Sequence, residues 1–397
     1  MSDVEKNIGT HKPEFAGEWV RLGDVIKKAK SARCGSDSYP ILSITMRDGI
    51  VEQASRFKKS IASRDTGNYK VVEPGQLVVG FPIDEGVIYV QNFNYPGIMS
   101  PAYDVWDIDS SRVDPSYLEL ALHSPQSMDY YRSNLRGTTA RRRSLPTNTL
   151  CDLTFLLPSL ENQRIVVKRM SMIVTLLDDA GSRLSALDNL VKSQFVEMFG
   201  DPRLNTKEWP LVKLGDVAST RLGKMLDAKK QTGLEARPYL ANTDVQWFRF
   251  NLENLKTMDF DAGDRKEFAL RDGDVLATEG GEVGRCAIWH CELEECYFQK
   301  AVHRIRCDSE RLLPIFLAWT FKMKSERNLF GSYVSRSTIA HLTGEKLRKV
   351  PIQLPPLALQ QQFADFVARV DKLGFDVQQQ IEKLETLKQS LMQEYFG

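Results

Sequence analysis

Arginine carries most of the chemistry this chain could do. Arg132, Arg136, Arg141, Arg142 and Arg143 lie close together with no acid among them. Lys27, Lys28, Lys30 and Arg33 form a second basic run, and Arg56, Lys58, Lys59 and Arg64 a third. Guanidinium and ammonium groups pair with phosphates, and the arginine fork also matches the guanine edge. The stretch Arg136-Gly137-Thr138-Thr139-Ala140-Arg141-Arg142-Arg143 joins arginines to small residues that allow close approach, so it reads as a DNA-facing loop. At a shift of 197 residues its counterpart is Tyr333-Val334-Ser335-Arg336-Ser337-Thr338. Arg47, Arg56, Lys58 and Lys59 are secondary candidates, as are Asn242, Thr243, Gln299, Lys300, His303 and Arg304 further on. Each also has a plain reading as a solvated or capping side chain.

Catalytic signatures are missing. No G-x4-G-K-[ST] loop is present to cradle phosphate. Glu279-Gly280-Gly281-Glu282-Val283-Gly284 is glycine-rich, but its glutamates would repel phosphate, and it reads as a hairpin turn. There is no Asn-Pro-Pro-aromatic motif and no Gly-x-Ser-x-Gly elbow, and the five histidines show no metal spacing. Cys286, His290, Cys291 and Cys296 cluster, yet Cys-x4-Cys-x4-Cys is not the paired Cys-x2-Cys of structural zinc. Small buried side chains in strands explain them as well. The expectation is a non-catalytic chain with no cofactor or metal of its own. The N-terminus has no signal-type apolar stretch, and no run of about 18 apolar residues occurs, so a cytoplasmic protein without disulfides is expected. Net charge is +1, which gives no global pull toward nucleic acid.

Two long helices must position these residues. Leu160, Val167, Met170, Val174, Leu177, Leu184, Leu187, Val191, Phe195 and Met198 recur at helical spacing behind Pro158. Leu357, Phe363, Val367, Val370, Leu373, Val377, Ile381, Leu384, Leu387, Leu391 and Tyr395 do the same behind Pro355-Pro356. Rods over 158–199 and 355–396 follow, each roughly 60 Å long at ~1.5 Å per residue. Each has an apolar stripe that the other could cover. Gly181 and Gly374 interrupt the stripes and predict a kink, a crossing point or a short break. Asp201 to Lys207 reads as a linker. Turn signals mark β-rich stretches around Tyr39–Thr45, Glu73–Val79 and Arg271–Ala277, with one helix late in each half near Tyr117 and near Leu312–Trp319.

The frame is written twice. Leu157-Pro158-Ser159-Leu160-Glu161-Asn162-Gln163 recurs as Leu354-Pro355-Pro356-Leu357-Ala358-Leu359-Gln360, and the copies end at Phe199-Gly200 and Phe396-Gly397. Trp19 with Leu22-Gly23-Asp24-Val25 recurs as Trp209 with Leu214-Gly215-Asp216-Val217, while the middles differ. The fold class expected is α+β: recognition regions at 1–156 and 201–353, helical spacers at 157–200 and 354–397.

This doubled order resembles the specificity subunit of a type I restriction-modification system. Also carrying the resemblance are Pro-Gly-Gln-Leu-Val at 74–78, Asp-Gly-Asp-Val-Leu at 272–276, and the Glu-Met-Phe-Gly and Glu-Tyr-Phe-Gly helix ends. The resemblance implies two target recognition domains, each reading half of a split double-stranded DNA site. It implies an antiparallel coiled coil that spaces them and docks two methyltransferase subunits, with restriction subunits as a further partner. S-adenosylmethionine, ATP and magnesium would then belong to the partners alone. A protein-binding scaffold and a standalone DNA-binding regulator are the competing readings.

Overall fold

The computed structural model describes residues 17–56, 66–135, 143–227, 231–331 and 341–397. The chain divides into two compact units, Met1–Gly181 with Gln379–Gly397, and Ser182–Gln378. Helices and sheets are mixed throughout, an α+β fold.

In the first unit, strand Gly17–Arg21 pairs antiparallel with Thr154–Pro158. The Leu22–Asp24 turn follows, with Leu22 fully buried and its N–H donating to the Leu153 carbonyl at 2.7 Å. A four-stranded antiparallel sheet then runs in the order Ile26–Lys28, Asp104–Ile108, Leu77–Val79, Ile88–Val90. Helix Pro115–Leu122 buries Tyr117, Leu118, Ala121 and Leu122. Its start is fixed by proline in the first turn and by the Asp114 carboxylate, which accepts from the Ser116 and Tyr117 amides.

The second unit is assembled in the same order. Leu211–Lys213 pairs with Pro351–Gln353, and the Leu214–Asp216 turn has its Leu214 N–H on the Val350 carbonyl at 2.9 Å. The sheet order is Ala218–Leu222, Val302–Cys307, Val275–Thr278, Cys286–Ile288. Helix Pro314–Glu326 follows. The difference lies in the middle. Here Ala236–Leu240 pairs antiparallel with Lys256–Asp259 and parallel with Tyr297–Phe298, over a core of Phe260, Trp289 and Phe298.

The late helices and strands fall where the sequence puts them. The long helices span Leu160–Phe199 and Leu357–Phe396, two residues inside the predicted starts. The reason at the first is that Pro158 belongs to a strand, paired with Gly17, and Ser159 caps the helix by accepting the Asn162 N–H at 3.3 Å. Both helices run unbroken through Gly181 and Gly374. One glycine costs about 1 kcal/mol of helix propensity, too little to open a helix that packing holds. The expected linker is tied down as well: Asp201 accepts from Arg203 at 3.1 Å and from Arg327 at 3.2 Å. These guanidinium hydrogen bonds, Arg203 first, hold its carboxyl well below the usual range.

Each long helix contributes to both cores. In the first unit Val166, Met170 and Ile173 share a cluster with Leu391, Tyr395 and Phe396, and Arg169 donates to the Tyr395 hydroxyl at 2.9 Å. In the second unit Phe195 and Phe199 meet Phe363 edge-on at 5.5 and 5.4 Å. At the start of each helix sits a fully buried glutamine. The Gln163 carbonyl accepts the Asp114 N–H at 2.7 Å, and its amide donates to the carbonyls of Pro158 at 2.8 Å and Arg112 at 3.1 Å. Gln360 does the same with Leu313 N–H, Pro355 and Arg311, each at 2.9 Å. Both clamps tie a long helix to the entry of the helix late in its unit.

Candidate nucleic-acid interface

Four segments of the second unit meet around one hairpin turn. Strands Val275–Thr278 and Cys286–Ile288 are joined by the glycine-rich turn, the hairpin expected from sequence. Gly281 and Gly284 hold φ of 74° and 79°, and a Cβ on Gly284 would come within 2.7 Å of the Phe330 ring, so the turn requires glycine there. Asn242 donates its amide to the Gly280 carbonyl at 2.9 Å, and Arg285 returns a bond to the Asn242 carbonyl at 2.9 Å. The Glu279 N–H donates to Ala301 at 2.9 Å, and the Leu342 N–H to Glu279 at 2.8 Å. Gln299 donates its backbone N–H to Leu240 at 3.1 Å. Asn242, Thr243, Gln299, Lys300 and His303 are therefore gathered by these bonds around the turn, where Gly280 also bridges to His341.

Their side chains do different things. Thr243 and Lys300 are exposed, and the Thr243 hydroxyl is bonded to Asp244 at 3.2 Å. Gln299 is half-buried in the strand pairing. His303 is 1% exposed, and its Nε2 donates to the Leu342 carbonyl at 3.0 Å. Burial pushes its pKa below the ordinary histidine value, so the ring is neutral at pH 7. Arg304 lies 5.5 Å over the Phe298 ring and donates to the Glu267 and Ala269 carbonyls at 3.1 and 2.7 Å; burial, then Arg306, lowers its pKa to about 10. His303 and Arg304 thus face inward and shape the turn region. Sequence reasoning missed Trp247, whose indole donates to Glu282 at 2.6 Å under the Lys322 ammonium at 4.7 Å. These residues lie far apart in sequence, and no periodic signal links them.

In the first unit, Arg47 is exposed at the tip of the hairpin joining Leu42–Ile44 to Ile50–Glu52, where the Thr45 N–H donates to Gly49 at 2.8 Å. Arg56 ends the short helix Gln53–Arg56. Lys58, Lys59, Arg136, Thr138, Thr139, Arg141 and Arg142 lie outside the described residues, as do Ser335, Arg336, Ser337 and Thr338. Arg132 pairs with Asp129 at 2.9 Å. Arg143 corrects the picture of a wholly free arginine loop: its guanidinium pairs with the buried Asp84 carboxylate and with Glu85 at 2.6 Å. A carboxylate with so little water around it needs a cation, and Arg143 supplies it. The Arg143 carbonyl also accepts the Ile83 N–H at 3.3 Å. The described residues that follow 136–142 and 332–340 are both pinned to the turn between a central strand and its edge neighbour, 80–87 in one unit and 279–285 in the other.

The cysteines are placed for packing. Cys286 and Cys296 are buried and Cys291 is exposed. Burial pushes the Cys286 and Cys296 thiols up, the latter to about 12. Among the described residues no group of three or more His, Cys, Asp or Glu side chains is arranged to hold a metal ion. Among them, too, no helix is long and apolar enough to cross a membrane.

Comparison with known proteins places this architecture. Residues 206–386 match the type I restriction modification DNA specificity domain. A putative type I restriction enzyme MjaX specificity subunit of Methanocaldococcus jannaschii is 24% identical over 196 residues, which is 48% of this chain. The match spans 46% of that relative's own length. The fold is shared with a chain solved in work on complex assembly and conformational transition of the type I R-M system, at 18% identity and a TM-score of 0.61. That alignment covers 97% of this chain and 98% of the other. The type I restriction-modification S subunit from M. genitalium aligns at 13% identity and a TM-score of 0.53, over 98% of both chains. The domain match over 206–386, the relative and the shared fold agree, and the chain is similar to specificity subunits of type I restriction-modification systems.

Proposed function

We propose that this chain selects the DNA sequence on which a type I restriction-modification complex acts, and is itself non-catalytic. Residues 1–156 and 201–353 are two recognition domains, copies of one scaffold with different middles. Each reads one block of a bipartite, asymmetric duplex target. Spacers 157–200 and 354–397 pair as an antiparallel coiled coil that sets the unread gap and docks two methyltransferase subunits. Restriction subunits join through that complex, and S-adenosylmethionine, ATP and magnesium act on the partners. The complex works in the cytoplasm. The observation that carries this reading is the pair of glutamine clamps, identical in all three bonds at the two helix starts. Two like frames with unlike middles suit two readers turned in opposite senses along a duplex.

Base and phosphate contacts fall to Arg47, Arg56, Lys58, Lys59, Arg136, Thr138, Thr139, Arg141 and Arg142 in the first domain. In the second they fall to Thr243, Gln299, Lys300, Ser335, Arg336, Ser337 and Thr338, with Asn242, His303 and Arg304 holding the turn and Arg143 holding its counterpart. The test is salt. For about six phosphate contacts, duplex affinity of the complex should fall roughly a thousandfold between about 50 and 200 mM salt. A flat salt response would favour a protein-binding scaffold.

The arginine run divides by role. Replacing Arg141 and Arg142 by alanine should weaken duplex binding and leave the melting temperature unchanged. Arg143→Ala should cost about 3 kcal/mol of stability, because it strands the Asp84 carboxylate. Unaltered affinity in the double variant would reduce Arg141 and Arg142 to a solvated patch.

A further inference from the structure

The turn between Val275–Thr278 and Cys286–Ile288 carries two glutamates that the fold treats differently. Glu282 accepts from the Trp247 indole at 2.6 Å and lies 3.7 Å from the Arg285 guanidinium. Nearby, Asp244 accepts from the Ala241 N–H at 2.8 Å and from the Thr243 hydroxyl at 3.2 Å. Glu279 has its backbone groups paired, to Ala301 and Leu342, but its carboxylate has neither hydrogen bond nor ion pair among the described residues. The residue is half-buried, and burial raises its pKa against the pull of His341 and Lys300, both exposed. The part that remains open is solvated, so the free chain tolerates it.

A duplex seated on Thr243, Gln299 and Lys300 would exclude that solvent, and the carboxylate would then need a donor. Phosphate offers none. The donors of a duplex are base amino groups: cytosine N4 and adenine N6 in the major groove, guanine N2 in the minor. A hairpin ringed by further segments suits the major groove, about 12 Å wide, and not the minor, about 6 Å. Adenine N6 lies between two acceptors, its own N7 and the O4 of its thymine, which repel a carboxylate on both sides. Cytosine N4 has an acceptor on one side only. Gly280 and Gly281 follow Glu279, and a Cβ on Gly281 would meet only Asn242 Oδ1, at 3.8 Å, so the backbone beside the carboxylate leaves room for a base edge.

We propose that Glu279 is a specificity-determining residue of the second recognition domain, accepting a hydrogen bond from the N4 amino group of one cytosine in the major groove. The inference rests on the DNA-reading function proposed above. Lys300 contacts a neighbouring phosphate and offsets the repulsion between the carboxylate and the DNA backbone.

Selection of bound duplexes from a library randomised through both blocks tests it, on the chain in complex with the methyltransferase subunit proposed as its partner. Glu279→Gln keeps the shape and should leave the melting temperature unchanged, because the carboxylate has no partner to lose. A carboxamide also suits adenine, so cytosine preference at one position of one block should fall about tenfold while adenine gains and all other positions hold. Lys300→Ala should weaken all duplexes alike. With the wild-type complex, N4-methylation of that cytosine removes the free N–H and should weaken binding about tenfold, whereas inosine for the paired guanine should not. An unchanged motif in Glu279→Gln, or a loss spread evenly over all positions, overturns the proposal. So does full affinity for the N4-methylated duplex, or a change at the same base in Lys300→Ala, which would make loop geometry the cause. A wild-type complex that selects no two-block motif would overturn the functional reading, and this inference with it.

Discussion

Gln163→Leu should destabilise the first unit by about 3 kcal/mol, and Gln360→Leu the second by a similar amount. Leucine matches the volume but leaves the Asp114 N–H and the Pro158 and Arg112 carbonyls without their partner. A stranded buried polar group costs about 1–3 kcal/mol; with Arg112, an exposed residue, regaining water, two such groups at the lower half of that scale sum to about 3 kcal/mol. For a unit of this size the melting temperature should fall by roughly 6–12 °C. Gln163→Glu separates hydrogen bonding from shape. A carboxylate can still accept from Asp114 but cannot donate to two carbonyls, so at neutral pH it should be at least as damaging as leucine. Part of the loss should return in acid, where a protonated glutamate donates once. Calorimetry on the single variants reads both effects; a shift under about 1 °C in Gln163→Leu would mean that the clamp is incidental.

The second large effect concerns the length of the helices. Inserting about seven residues into each, after Gly181 and after Gln378, keeps the apolar stripe in phase. It lengthens each rod by roughly 10 Å at ~1.5 Å per residue. At ~3.4 Å per base pair, the unread gap of the target should grow by about three base pairs while both blocks keep their bases. The readers are untouched, so altered bases in the blocks with an unaltered gap would refute the ruler. Selection of bound duplexes from a library with a randomised gap reports both quantities.

The helices were legible because forty residues of apolar spacing outweigh local ambiguity, and only the starts slipped, where Pro158 ends a strand. The glycine-rich turn was legible because its glutamates exclude phosphate and its glycines suit positive φ. What sequence could not supply was long-range partnership. Gln163 stood out as part of a doubled motif, yet the groups it holds lie 49 and 51 residues away at Asp114 and Arg112. Arg143 looked like the third member of an arginine run until Asp84, 59 residues earlier, claimed it. His303 and Arg304 have the chemistry of base readers, but burial in the sheet turned that chemistry inward. Sequence could name candidate loops, while the division between exposed and supporting residues needed the fold.

The most direct test of the account is a map of N6-methyladenine across a genome in cells that express this chain with the methyltransferase subunit proposed as its partner. The account predicts one motif, two short defined blocks of different sequence with a fixed unread gap, that disappears when this chain is deleted. Methylation that persists without the chain, or a contiguous or palindromic motif, would contradict it.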